Sequence, residues 1–332
     1  MRTRPGPRIA FLVLLLLAVI TATPRHTVAA EPPGGLTPDW AAQDTEHFRF
    51  FVQANDRLTA EAFVQQYGAY ADTAYDEISL LFKATADRKI AVYVYADAAA
   101  FDAAVAGLGR SEIAGIDAVA DTNPDKLDIS IALPRILSSS AVDAENQLRH
   151  ATSHILANIA SGFNIPRGFD EGIAQYVERF NTPKVARIAA LVQMADQRGT
   201  LVSWSELNRD VPPQGDEALI GAESYAVVAY LIQHQGLPEF QRFLTEMKTN
   251  PGWRDAMKVA YAPGTSDTLW KQWREKVPIW ATTEWRWNLV AGFDLEPAKA
   301  LLAKGNYRGA QDILQLSEQL FMSLDDQKRR DE

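Results

Sequence analysis

Two histidines stand four residues apart, His150 and His154, in the run Leu148-Arg149-His150-Ala151-Thr152-Ser153-His154. On a helix this spacing puts both imidazoles on one face, with β-carbons about 5–6 Å apart, close enough for both to bind one metal ion. Leu148, Ile155 and Ile159 form the apolar stripe of that helix. The histidines lie off the stripe, beside the small residues Ser153, Ala157 and Ser161, which leave room for an ion and for something bound to it.

A carboxylate follows in Phe169-Asp170-Glu171-Gly172-Ile173-Ala174-Gln175-Tyr176. Pro166 and Gly168 break the chain ahead of it, and Phe169, Ile173, Tyr176, Val177 and Phe180 give a second helix its own apolar stripe. Glu171 points away from that stripe, and Gly172 permits close approach of a neighbouring helix. Two antiparallel helices joined by a short turn bring Glu171 opposite the histidines. Two neutral imidazoles and one carboxylate form a catalytic zinc set with a fourth position open.

The elements that must position these residues follow from the apolar periodicity. Short strands are expected at 47–53, 89–95 and 127–133, with Ile90, Val92 and Val94 alternating against Ala91, Tyr93 and Tyr95. A long helix is expected at 59–83, through Phe63, Tyr67, Tyr70, Tyr75, Ile78 and Leu81. Beyond Pro134 the pattern is helical, with helices at 141–161, 170–180, 184–197, 222–235, 238–248, 267–275 and 295–322. Strands followed by a run of helices give an α+β fold: a small N-terminal sheet with a long helix, then a mainly helical part. Gly305-Asn306-Tyr307 interrupts the last span as an ordinary helical hairpin does. Trp280, Trp285 and Trp287, near Pro278, are aromatics of the kind that pack a helix junction.

The run from Gln147 to His154, followed by that from Pro166 to Tyr176, resembles the peptidase MA-like family of gluzincin metallopeptidases. Its members carry H-E-x-x-H on one helix and (W/F)-x-E-G-x-A-x-Y on the next. Tyr225 to Leu231, Gly236 and Phe240 to Phe243 look like the helix pair that follows the site in this family. The resemblance spans the domain 45–276, with a helical extension at 277–332. It implies that His150, His154 and Glu171 are zinc ligands, and that Tyr225 is a catalytic residue donating a hydrogen bond to the transition-state oxyanion. Tyr225 also sits on a standard core stripe with Val228, Ala229 and Ile232.

This chain departs from the family at one position. Where the family has the glutamate that takes a proton from water at the zinc, this chain has Ala151, which can neither accept nor donate one. Asp170, Glu178 and Glu145 are nearby in sequence, yet none has a favourable position as a substitute base.

Composition bounds the rest. The chain has 332 residues, 47% hydrophobic and 23% charged, so it has the material for a core and is not a disordered chain. A net charge of -9 argues against nucleic acid as partner. Arg2, Arg4 and Arg8, the apolar run from Ile9 to Ile20 and Val28-Ala29-Ala30 read as a signal peptide over 1–30. After its cleavage no membrane span is expected, because that run is short of the ~20 residues a spanning helix needs. Pro/Gly-rich residues 31–44 read as a flexible lead-in. With no cysteine the chain has no disulfide and no thiol nucleophile, and a periplasmic or secreted location is expected.

Together these features describe an exported, zinc-binding, catalytically impaired homologue of the metallopeptidases that binds a peptide or protein. An active zinc peptidase with a substitute base and a structural protein without metal are the alternatives. The strand at 127–133 is expected at the sheet edge, free to add an extended peptide.

Overall fold

The computed structural model describes residues 40–53, 59–106, 118–138, 140–209, 217–250 and 252–324. The expected leader at 1–30 and the charged tail beyond 324 lie outside the described residues. The architecture is α+β, a five-stranded sheet followed by a helical body.

Strand β1 (Trp40–Asp44) pairs antiparallel with β2 (Phe48–Gln53). Residues 40–44, assigned to a lead-in on their Pro/Gly-rich context, are thus part of the sheet. Helix α1 (Ala60–Phe82) starts where the Thr59 side chain accepts from Ala62 N and ends at Lys83 in the left-handed region, φ 51°. It crosses back so that β3 (Ile90–Tyr95) runs parallel to β2. Both faces of β3 are covered, which is why all six of its residues are buried. Ile90, Val92 and Val94 join the main core under α1, while Ala91, Tyr93 and Tyr95 join Phe51 and Phe101 in a smaller core on the other face. Phe101 comes from α2 (Ala98–Ala106).

Strand β4 (Ala118–Asp121) precedes β5 (Asp128–Ala132), giving the order β1-β2-β3-β5-β4. Strand β5 is parallel to β3 on one side and antiparallel to β4 on the other. The expectation of a free edge at 127–133 is therefore wrong: the edge belongs to β4, whose four residues are too few to show an alternation in the sequence.

Helix α3 (Leu133–Ser138) leads into α4 (Ala141–Ser161), which packs against α1 and β4. Gly162 and Phe163, at φ 64° and 63°, turn the chain into α5 (Arg167–Tyr176). Then follow α6 (Thr182–Arg198), the short α7 (Trp204–Leu207) and α8 (Glu217–Tyr230), which ends in a π-turn over Leu231–Gln235. Helices α9 (Leu237–Glu246), α10 (Trp253–Ala260) and α11 (Ser266–Thr282) close the core. Helix α11 runs through Pro278 instead of stopping before it, and Trp280 and Trp285 are buried. A hairpin of α12 (Glu296–Ala303) and α13 (Tyr307–Ser323) turns at Gly305, φ 74°. Among the described residues no helix is long and apolar enough to cross a membrane.

Candidate metal centre

The α4–α5 turn is short, so the two helices lie antiparallel and in contact. Helix α4 buries Leu148, Ala151 and Ile155, which leaves His150 and His154 facing α5 with ring centroids 4.9 Å apart. The opposite side of α5 packs on α8 with almost nothing between: a β-carbon on Gly172 would fall 2.2 Å from Ser224 O. Gly168 is equally constrained, its β-carbon position lying 2.6 Å from Leu207 O. Phe169 anchors the start of α5 in the rings of Trp204, Phe243 and Trp253. The position of Glu171 is thus set by main-chain contact and an aromatic cluster.

That position is opposite the histidines. Glu171 Oε2 lies 3.8 Å from His150 Nε2 and 3.9 Å from His154 Nε2, and the three side chains offer donor atoms all within 4.8 Å of one another. The three residues singled out in the sequence are therefore brought together. Each histidine also meets a carboxylate on its other ring nitrogen. His150 Nδ1 is hydrogen-bonded to Glu178 Oε1 at 3.0 Å. His154 Nδ1 lies 3.0 Å from Asp170 Oδ1, with alignment too poor for a hydrogen bond. A carboxylate at Nδ1 favours the tautomer with its proton there, leaving Nε2 with a lone pair aimed at the centre. Glu171 is steadied in turn, its Oε1 accepting from Gln175 Nε2 at 2.8 Å. Lys184 Nζ donates to Glu178 Oε2 at 2.5 Å.

The charges respond to this packing. Burial disfavours ionised Glu171, yet His150, His154, Gln175 and Lys184 outweigh it and hold its pKa at about 2. Burial likewise opposes protonation of His150, but Glu171 and Glu178 prevail and its pKa is raised. Glu178 is held below the usual carboxylate range, burial being overcome by His150 and Lys184. An ionised carboxylate between two imidazoles is an electrostatic well for a cation. With two nitrogen donors, one oxygen donor and a carboxylate beside the Nδ1 of each ring, the residues present fit a zinc ion.

A cleft of about 440 Å³ opens on this centre, bounded by α4 at Gln147 and His150 and by α5 at Arg167, Glu171 and Gln175. Helices α6 and α8 complete it with Lys184, Arg187, Ile188, Leu191 and with Ile220, Gly221, Ser224. Ala151 is 1% exposed, part of the main core. Tyr225 is also 1% exposed and does not line the cleft. Its ring packs on Tyr176 and Trp280, and its hydroxyl accepts from Asn288 Nδ2 at 3.4 Å. Burial pushes its pKa above the ordinary phenol value.

Sequence reasoning passed over Asp170 and Glu178 as partners of the histidines and did not consider Gln175, Lys184 or Arg187. Only the position of Asp170 beside Glu171, and of Glu178 on the same face two turns on, gave a signal. A profile of the Peptidase MA superfamily matches residues 72–278. No curated protein matches the chain.

Proposed function

Because the chain belongs to the Peptidase MA superfamily, we propose that it is an exported, gluzincin-type zinc protein, deficient in hydrolysis, whose cleft holds a peptide or protein segment. One observation carries this reading. The ligand cluster is complete down to the carboxylates behind each histidine, while position 151, between the two ligands on α4, carries only a methyl group.

The chemistry that zinc supplies in such a site is Lewis-acid polarisation of a carbonyl and acidification of water. This chain's residues do the rest. Glu178 holds the His150 ring by a hydrogen bond, Asp170 places its charge beside His154 Nδ1, Gln175 holds Glu171, and the walls of α6 and α8 shape the cleft. Among the described residues, the carboxylates closest to the histidines are already engaged. Glu178 is engaged by His150 and Lys184, Asp170 by His154, and Glu145 by Arg179. A positioned general base contributes about 10²–10⁴ in rate, or about 2.7–5.5 kcal/mol, and turnover should be slower by that factor.

Elemental analysis after dialysis against limiting zinc, with His154→Ala as control, tests the metal. About one zinc per chain is expected, lost in the variant; equal binding by both overturns the ligand assignment. A mixed peptide library incubated with zinc-loaded protein tests the deficiency. Vigorous zinc-dependent cleavage would overturn it and direct attention to Glu217, the further carboxylate on the described cleft wall.

A further inference from the structure

Two guanidinium groups on the cleft wall play no part in holding the metal centre. Arg167, the first residue of α5, and Arg187, on α6, both line the cleft that opens on His150 and Glu171, and both are exposed. Among the described residues no ion pair or hydrogen bond engages either side chain, although the chain carries 42 acidic residues against 33 basic ones. Lys184, the third cation of this wall, is by contrast tied to Glu178. The carboxylates Glu171 and Glu178 are likewise engaged by their own neighbours, and Glu217 stands at the start of α8.

Helix α6 presents Lys184, Arg187, Ile188 and Leu191 to the cleft, spaced i, i+3, i+4 and i+7, which is one helical face. The wall therefore passes from cationic to apolar along a single stripe. A guanidinium fork matches a carboxylate in two parallel hydrogen bonds. We infer that the cleft takes a peptide segment with an acidic side chain beside an apolar one, the carboxylate held by Arg167 and Arg187 and the apolar neighbour by Ile188 and Leu191. This rests on the cleft being a peptide site and adds the chemistry of what is bound.

The test uses zinc-loaded protein and fluorescein-labelled peptides capped at both ends, identical except for one central residue beside a leucine: glutamate, glutamine or lysine. Fluorescence anisotropy gives Kd, and mass spectrometry verifies that each probe stays intact. The glutamate peptide should bind at least about tenfold more tightly than the glutamine peptide, and the lysine peptide most weakly. In the double variant Arg167→Gln/Arg187→Gln, checked for unchanged zinc content and circular dichroism, the preference should fall below about twofold. Equal affinity of the wild type for all three peptides overturns this inference and leaves the peptide-binding reading standing, as does a preference that survives in the double variant. Absence of binding to every peptide overturns both.

Discussion

His150 Nδ1 and Glu178 Oε1 are 3.0 Å apart although 28 residues separate them in the chain. The carboxylate comes from beyond the end of α5, two turns past Glu171, so one short stretch supplies both a candidate metal ligand and the group hydrogen-bonded to another. Glu178→Gln keeps the shape but loses the charge, and strands Lys184. Zinc affinity should fall about 10- to 100-fold, read by competition with a chromophoric chelator. Asp170→Asn should weaken it in the same range through His154. Unchanged affinity in both variants would remove the orienting role.

Ala151→Glu should raise zinc-dependent peptide hydrolysis toward the 10²–10⁴ expected of a general base. It should also cost stability, because Ala151 is 1% exposed in the core and overpacking costs about 1–3 kcal/mol. The comparison is kcat/KM on folded, zinc-loaded samples. No gain in a folded, loaded variant would mean that more than the base has been lost.

Arg149, next to His150 in the chain, is 2% exposed. Its Nη2 donates to Glu77 Oε2 on α1 at 2.5 Å, and its Nε donates to Val177 O at the end of α5. Three helices thus meet on one guanidinium. Arg149→Met leaves a carboxylate and a carbonyl without their donor and should destabilise by about 3–5 kcal/mol in urea unfolding. Arg149→Lys should not restore the loss, because a single ammonium lacks the fork that reaches both acceptors.

Glu223 on α8 is buried, with Oε2 accepting from Val202 N at 2.9 Å and Oε1 unpartnered. Burial raises its pKa from 4.5 to about 7, only partly offset by the Val202 bond. Between those values the folded chain keeps a proton that the unfolded chain has released. Stability from this group is therefore full below about pH 4.5 and lost as pH rises to about 7, by about 3 kcal/mol. Glu223→Gln should remove that slope, so variant and wild type should differ more at pH 8 than at pH 5 in denaturant melts. An identical pH dependence would refute it.

The legible part of the site was the part written within single helices. His150 and His154 are four apart, and Glu171 sits in a motif of its own helix, so pattern alone identifies them. Glu178 and Asp170 are partners only because α5 lies on α4 at one rotation, fixed by Gly172 against Ser224 and by Phe169 in its aromatic cluster; neither contact is written locally. The same holds for the sheet. Strands β2, β3 and β5 alternate over enough residues to be seen, whereas β4 is a strand because β5 offers it an edge. Pro278 misled in the other direction, since α11 continues through it with Val277 and Trp280 packed in the core.

The contact of Gly172 with Ser224 has a mechanical consequence. Gly172 brings the backbone of α5 directly against Ser224 O and the Val228 side chain of α8, with no room for a β-carbon between, so a shift of α8 would be felt at the backbone beside Glu171. Helix α8 also contributes Ile220 and Gly221 to the cleft, and a β-carbon on Gly221 would lie 2.9 Å from the Gln175 amide that steadies Glu171. If the cleft takes a peptide and the centre takes zinc as proposed, the two would be coupled through this contact, and by reciprocity whatever factor a bound peptide imposed on zinc affinity, zinc would impose on the peptide.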